Sequence, residues 1–125
     1  MTRGEIYWCD LNRGAIGSEQ RGKRPVLVLQ NDLANQFAPT VTVAPITSRT
    51  HKNCLRPEHI YICSFDLTYP SIVLLEQMRT VDKQRISERI GKLSDLNMQR
   101  VDASRPFTPP SLPTIFFLES LLLGR

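Results

Sequence analysis

Arg24 and Thr47 are the two residues whose types and positions best suit the handling of a phosphate group. Arg24 comes just before the apolar run at residues 26–29, and Thr47 comes directly after the run at residues 43–46. A guanidinium stays protonated and offers a fork of N–H donors that matches phosphate oxygens, and a hydroxyl adds one further donor. Either residue alone is more typical of an ordinary strand end, so the interpretation depends on the pair.

The elements that must position this pair are predicted to be short strands. Strand-like runs occupy residues 6–11, 26–29, 41–46, 58–63 and 71–81, and a polar loop that contains three glycines covers residues 13–24. Pro45 restricts the third run to a sheet edge or a strand end. Five strands with short connections predict an all-β domain, either a small barrel or a sandwich.

The pattern after residue 82 is mixed. Ile86, Ile90 and Leu93 have helical spacing, but Gly91 opposes a regular helix. Ser94 predicts the N-cap of a helix through residue 101 that ends before Pro106.

Length and composition indicate one small domain. The chain has 125 residues, a formal net charge of +4 and three cysteines, and the basic balance is compatible with a nucleic-acid partner. The N-terminal residues lack the apolar stretch of a secretory signal, which predicts a cytoplasmic protein with reduced thiols. The longest apolar run, residues 115–123, is interrupted by a carboxylate and is too short to span a bilayer.

Four motifs in register resemble the MazF/PemK family of growth-inhibiting toxins. They are RGEIYW at residues 3–8, GSEQ at 17–20 followed by KRPVLV at 23–28, PITS at 45–48, and LEQMRTVD at 75–82. The resemblance implies an all-β fold, a small SH3-like β-barrel with minor helices, one of them C-terminal. It also implies a type II toxin that acts as an endoribonuclease on single-stranded mRNA. Family members cut at short sequences without a ribosome, metal ion or other cofactor, and so inhibit translation and growth.

The resemblance also assigns roles to individual residues. The catalytic arginine and the phosphate-binding threonine of the family fall on Arg24 and Thr47. Substrate-binding positions fall on Gly17, Ser18, Glu19 and Gln20, which belong to a loop that closes over RNA, and on Pro25, Ser48 and Gln77. Kid-type members place an arginine and an aspartate where this chain has Leu74 and Glu76. That difference favours the Gram-positive MazF-like subgroup and opposes transfer of the Kid mechanism.

The partners that the resemblance implies are a single-stranded RNA substrate, a second copy of the chain and a short, acidic antitoxin. DNA contact is expected only through the toxin–antitoxin complex, and no membrane contact is expected. A toxin domain is predicted for residues 1–103, with an atypical tail at residues 104–125 that is rich in proline and then apolar. An extension, a docking segment and a shifted reading frame all fit this tail.

Several alternatives remain open on sequence alone. The general base for attack by a 2′-hydroxyl is Glu19, a displaced water or a transiently neutral Arg24. Zinc binding by His51, Cys54, His59 and Cys63 is disfavoured, because His59 and Cys63 on one strand lie about 13 Å apart. A His51/His59 acid–base pair is a further alternative, because histidine transfers protons near neutral pH. Cys9 as a nucleophile has little support, because it lies mid-strand with no basic partner nearby in sequence. A barrel that poisons DNA gyrase, as CcdB does, and a nucleic-acid-binding barrel without turnover are the functional alternatives.

Overall fold

The computed structural model describes residues 1–12, 17, 22–49, 59–63 and 66–104. The strands are β1 (Glu5–Asp10), β2 (Lys23–Val28), β3 (Thr40–Thr47), β4 (His59–Ile62), β5 (Ser71–Leu74), β6 (Arg79–Asp82) and β7 (Ile86–Lys92). Two helices, α1 (Asp32–Phe37) and α2 (Asp95–Ala103), and two 3₁₀ turns, Leu75–Gln77 and Lys83–Arg85, complete the described part of the chain. The predicted residue 104–125 tail lies outside it beyond Ser104.

The strands form an antiparallel sheet in the order β4-β5-β3-β2-β1-β7, with β6 beside the first half of β3. The expected all-β class with a C-terminal helix is confirmed. Within the described residues the two end strands, β4 and β7, are not paired with each other, so the closure of a complete barrel is not found there. No helix in these same ranges is both long and apolar enough to cross a membrane.

Strand β3 lies at the centre of this sheet and changes partner along one edge. Its first residues pair with β6, ending at Val43 opposite Arg79, and its last two pair with β5, beginning at Ile46 opposite Val73. Pro45 lies between these two ladders and aligns with Val26 on the other edge. The expectation that Pro45 marks an edge or an end is therefore wrong. A residue without an N–H is tolerated here because it falls in the gap between the two partners.

Both faces of the central strands are buried. The helix-side core contains alternate residues of the central strands together with α2, and the β6-side core contains the residues between them. The helix-side core includes Ile6, Leu27, Leu29, Ala44, Ile46, Met98 and Val101, and the β6-side core includes Cys9, Val26, Val28, Val41, Val43 and Val81. Burial on both faces explains why residues 26–29 are continuously apolar rather than alternating.

Strand β7 covers the region where the sequence pattern is mixed. Residues 86–92 pair with β1, so the helical spacing of Ile86 and Ile90 does not produce a helix. Gly91 is buried against the side chain of Asp66, and a Cβ atom at Gly91 would lie 2.2 Å from Asp66 Cγ. The glycine is required by this close approach, which no local sequence pattern shows.

Both helices begin with a side-chain cap. The Ser94 hydroxyl accepts a hydrogen bond from Asn97 N, as the sequence predicted for α2. At the start of α1 the side-chain oxygen Oδ1 of Asn31 accepts a hydrogen bond from Ala34 N. This helix was not predicted from the sequence. An Asn-Asp pair after a strand can begin a short helix as well as end the strand.

Glu5 joins the N-terminus to strands β1 and β7. Its carboxylate accepts hydrogen bonds from Thr2 N at 2.7 Å, Tyr7 Oη at 3.0 Å and Arg89 Nε at 2.8 Å. Burial opposes ionisation and is the largest single influence, yet these hydrogen bonds and the Arg89 charge together lower the pKa of Glu5 from 4.5 to about 2.

We predict that Gly91→Ala lowers the free energy of unfolding by about 1–3 kcal/mol, because the new methyl group overpacks against Asp66. Urea denaturation checks this value. The double variant Gly91→Ala/Asp66→Gly removes the colliding side chain and should recover part of the loss. Equal stability of the single variant and the wild type would contradict the packing of Gly91 against Asp66.

The Glu5 network predicts an acid-dependent stability. Because the folded-state pKa is depressed, the carboxylate stabilises the fold above pH 4.5 and loses this effect as the pH falls towards 2. Glu5→Gln should cost about 1–2 kcal/mol at neutral pH, and the difference from the wild type should disappear near pH 2 in urea titrations. Glu88→Gln is the matched control: the pKa of Glu88 is also lowered, by a backbone hydrogen bond and Lys23, but the carboxylate is exposed and its contact with Lys23 is 3.7 Å long, so its removal should cost little. A cost that did not change with pH would contradict the assignment.

Candidate active site

The strand register brings Arg24 and Thr47 to the same place in the fold. Val26 aligns with Pro45 and Leu27 with Ala44 across β2 and β3. The pairing of β2 with β3 is found only as far as Val26 and Pro45, and Arg24 and Thr47 lie two residues beyond that pair, near the start of β2 and at the end of β3. Both residues share the side-chain direction of the β6-side core, because side chains two apart on a strand point the same way. The two predicted catalytic residues therefore lie at the same end of two neighbouring strands.

A cleft opens beside this strand end, with a volume of about 350 Å³. Its apolar part is formed by residues that also pack against the helix-side core, and its rim contains basic, hydroxyl and aromatic side chains. The lining residues are Trp8, Lys23, Arg24, Pro25, Ile46, Ser48, Asp66, Leu67, Thr68, Tyr69, Ser71 and Ile90. Three of the residues predicted from the sequence, Arg24, Pro25 and Ser48, are thus brought together.

Thr47 is adjacent to this cleft but does not line it. The residue is only 1% exposed, and its Oγ1 accepts a hydrogen bond from Arg49 N at 3.1 Å. This bond closes a tight turn just after β3 and fixes the backbone at Ser48 and Arg49, both of which are exposed. The hydroxyl is the acceptor in this bond, so its own hydrogen can still be donated.

Of the predicted loop residues 17–20, the structure describes only Gly17. Gly17 is exposed, has φ +62°, and is not among the described residues that line the cleft. Ser18, Glu19 and Gln20 lie outside the described residues. The base of their loop is fixed by two hydrogen bonds, from Leu11 N to Gly22 O and from Gly22 N to Asn12 Oδ1, both 2.9 Å.

Gln77 ends the 3₁₀ turn after β5 and is partly buried, outside the described cleft lining. Its neighbour Glu76 bonds through Oε2 to His59 Nε2 at 2.9 Å, and the His59 side chain is almost fully buried. In the sequence Glu76 was notable only as a departure from the Kid pattern. In the structure it fastens the turn that carries Gln77 to β4.

Trp8, Lys23 and Tyr69 line the cleft but were not among the candidates predicted from the sequence. Trp8 is opposite Pro25 in the pairing of β1 with β2, and Tyr69 lies in the segment before β5. The one indication available in the sequence for a binding role of Trp8 was that a large aromatic residue occurs in the first predicted strand. Tyr69 had none, because its position depends on how the segment before β5 crosses the sheet.

The alternative chemistries are poorly supported by the described residues. His59 is buried against Glu76 and does not line the cleft, whereas His51 and Cys54 lie outside the described residues. No group of three or more metal-ligand side chains occurs in the described ranges. Burial raises the pKa of the Cys9 thiol, which opposes formation of the thiolate that a nucleophile requires.

The site has a cationic strand end with a hydroxyl nearby, and the cleft beside it has basic and aromatic side chains. This combination is typical of a class of proteins that bind nucleic acid, and it includes the groups needed to act on a phosphodiester. Comparison with known proteins identifies the family. Residues 2–104 match the family model of the PemK-like, MazF-like toxin of type II toxin-antitoxin systems.

Individual relatives agree with this match. The endoribonuclease EndoA of Bacillus subtilis is 47% identical over 104 residues, which cover 82% of this chain and 88% of the relative. The endoribonuclease MazF of Staphylococcus saprophyticus is 45% identical, with coverage of 82% and 85%. Among solved structures, MazF of Deinococcus radiodurans superposes with a TM-score of 0.70 at 24% identity, covering 83% of this chain and 91% of that one.

The chain therefore belongs to the MazF/PemK family and is a MazF-like endoribonuclease toxin of a type II toxin–antitoxin system. Its similarity to EndoA and to a staphylococcal MazF agrees with the Gram-positive subgroup that residues 74–77 indicated. The gyrase-poison and turnover-free alternatives have no support from these relatives, both of which are named as endoribonucleases.

Proposed function

We propose that the chain cuts single-stranded RNA beside Arg24, by attack of a ribose 2′-hydroxyl on the adjacent phosphate. The observation that supports this most strongly is that Arg24 and Thr47 lie at the same end of neighbouring strands, next to the cleft that Arg24 lines. In the proposed step the 2′-oxygen bonds to phosphorus and the bond to the 5′-oxygen breaks. The products are a 2′,3′-cyclic phosphate and a 5′-hydroxyl, so no water is consumed.

Arg24 stabilises the negative charge that develops on the phosphate oxygens in this step. A preformed cationic donor beside a developing oxyanion is worth about 10²–10³ in rate. Arg24 lines the cleft on β2, and its backbone is held by the pairing with Cys9 of β1. A donor fixed in this way needs little reorganisation when the charge forms.

Thr47 acts in two ways under this proposal. Its hydroxyl oxygen accepts the Arg49 N–H and keeps the turn after β3 closed, while its hydrogen is donated to a phosphate oxygen when RNA is bound. Gln77, Ser48 and Pro25 contact the RNA chain further from the scissile bond, as does the loop with Gly17, Ser18, Glu19 and Gln20. The general base is Glu19, a displaced water or a transiently neutral Arg24, and no metal or other cofactor takes part.

The cleavage assay uses a single-stranded RNA substrate in the presence of EDTA. We expect the wild type to leave cyclic phosphate ends, Arg24→Ala to be slower by at least about 10²-fold, and Arg24→Lys to recover only part of the rate because it keeps charge without the fork. Thr47→Val should lose roughly 10-fold and Thr47→Ser should retain most activity.

Arg100→Ala is the matched control for Arg24, since Arg100 is exposed on α2 and donates only locally, to Asn97 Oδ1 at 2.8 Å. It should cleave at the wild-type rate. Folded Arg24→Ala protein with undiminished turnover would contradict the catalytic assignment. A strict requirement for added metal ion would contradict the proposed chemistry.

We also propose that the active protein is a homodimer and that a short acidic antitoxin neutralises it in the cytoplasm. Solved relatives support the second point, since a mycobacterial endoribonuclease with a TM-score of 0.68 was determined in complex with its cognate antitoxin. The net charge of +4 favours association with an acidic chain. DNA would be contacted only through that complex. The RNA sequence that is cut would be selected by residues of the substrate groove, for which no general base-recognition code exists.

Native mass spectrometry of the protein isolated from its own host tests this assembly. We expect two chains of 14.3 kDa together with a smaller acidic chain. A single 14.3 kDa chain in every species would contradict the dimer, and dimers without any second protein would contradict the antitoxin.

A further inference from the structure

The cleft beside Arg24 combines two large, exposed aromatic rings with two cations. Trp8 is 37% exposed and Tyr69 is 65% exposed, although both rings line the same concave surface. Lys23 and Arg24 lie on the rim of that surface. Exposed aromatic rings next to a basic strip are the usual arrangement for binding unpaired nucleotides, whose bases stack on the rings while cations contact the backbone.

We propose that Trp8 and Tyr69 are the base-stacking residues of this protein, and that the cleft takes an unpaired nucleotide next to the phosphate held by Arg24. This inference rests on the proposed ribonuclease function and adds the part of the substrate that the cleft recognises. The substrate positions implied by the family resemblance include neither aromatic residue.

The placement of Trp8 fixes the backbone that carries its ring. Trp8 aligns with Pro25 across β1 and β2, and its carbonyl oxygen accepts a hydrogen bond from the Ser87 hydroxyl of β7 at 3.4 Å. The strand carrying Trp8 is thus held on both edges. A ring attached to a rigid strand loses little conformational entropy when a base stacks on it.

Tyr69 supplies the second ring from a different element. Its carbonyl oxygen accepts a hydrogen bond from the Ser71 hydroxyl at 2.9 Å, which fixes the backbone just before β5. The residue as a whole is 65% exposed, so its side chain is available to a ligand.

The two cations of the cleft agree with a nucleotide ligand. The cleft is also lined by Asp66, whose carboxylate packs against Gly91 and accepts a hydrogen bond from Lys92 N at 3.3 Å. The ion pair of Lys23 is a 3.7 Å contact to Glu88 between two exposed side chains. Contacts of this kind contribute little, so a phosphate can replace Glu88 at low cost.

Duplex RNA would not bind in this way, because its bases are already stacked on one another and their faces are unavailable to the aromatic rings. The volume of about 350 Å³ is at the small end of ligand sites and suits one nucleotide rather than a helix.

Stacking makes a clear prediction about selectivity. Every base has a π face, so stacking adds affinity but discriminates poorly between bases. Trp8 and Tyr69 should therefore determine how tightly single strands bind, and the choice of cleavage sequence should change little when either ring is replaced by another aromatic ring.

The test exploits the fact that Trp8 is the only tryptophan in the chain, so its fluorescence reports directly on this cleft. The probe is a short 2′-O-methylated single-stranded RNA, which binds but has no free 2′-hydroxyl and cannot be cut. We expect saturable quenching of Trp8 with the same midpoint as fluorescence anisotropy of the labelled probe. A probe that binds by anisotropy without changing Trp8 fluorescence would overturn the inference.

Variants measured by anisotropy complete the test. Trp8→Ala and Tyr69→Ala should each weaken binding at least about 5-fold, whereas Trp8→Phe and Tyr69→Phe keep a ring and should bind within about 3-fold of the wild type. Tyr61→Ala is the matched control, because Tyr61 is an exposed tyrosine on β4 outside the described cleft lining. If Trp8→Ala does not fold, as judged by circular dichroism, the quenching and the Tyr69 variants still decide the question.

Failure of this inference differs from failure of the proposed function. Wild-type cleavage that depends on Arg24, together with unchanged binding by Trp8→Ala and Tyr69→Ala, would overturn only the stacking role. Absence of wild-type cleavage would contradict the ribonuclease itself, whatever the fluorescence shows.

Discussion

The central strand β3 must satisfy its backbone hydrogen bonds on two edges, and the rest of the domain is arranged around the way it does so. On one edge it pairs with β2 alone. On the other edge it pairs first with β6 and then with β5, and Pro45 occupies the gap. This exchange of partners directs β6 and β5 to different parts of the domain. It also leaves the last residue of β3, Thr47, paired with Ile72 of β5 and two residues past the last pair with β2.

Most strands are predictable from the sequence because their apolar pattern is local. The first four runs form β1 to β4, with ends that differ from the prediction by at most three residues. The fifth run, residues 71–81, was predicted as one strand with its continuation, but the 3₁₀ turn Leu75–Gln77 divides it into β5 and β6. The prediction failed for β7 because two competing patterns overlap there. Helical spacing of isoleucines is a local property, but the pairing with β1 and the contact between Gly91 and Asp66 join residues far apart in sequence.

The same distinction explains which parts of the candidate site were predictable. Arg24 and Thr47 lie beside recognisable motifs, so their types and spacing alone indicate a pair that handles phosphate. Trp8 and Tyr69 are far apart in the sequence, and only the path of the segment before β5 brings both to one cleft. The burial of the Thr47 hydroxyl against Arg49 N is likewise a three-dimensional result. A threonine after a strand predicts either a local turn or a ligand contact, and here the turn is the one observed.

Alternation along a strand imposes a further condition on the site. Arg24 and Thr47 point with the β6-side core, whereas their neighbours Pro25 and Ser48 point with the helix-side core, where the cleft lies. In the middle of a sheet these two sets of side chains would be separated by the backbone and could not reach one ligand. Here the pairing of β2 with β3 has ended at Val26 and Pro45, while Arg24 stays paired with β1 and Thr47 with β5. Arg24 lines the cleft although its side-chain direction is that of the opposite face. A substrate chain that passes between these two strand ends can therefore place its phosphate against one face and its base against the other. This explains why the candidate catalytic pair lies where both strands terminate.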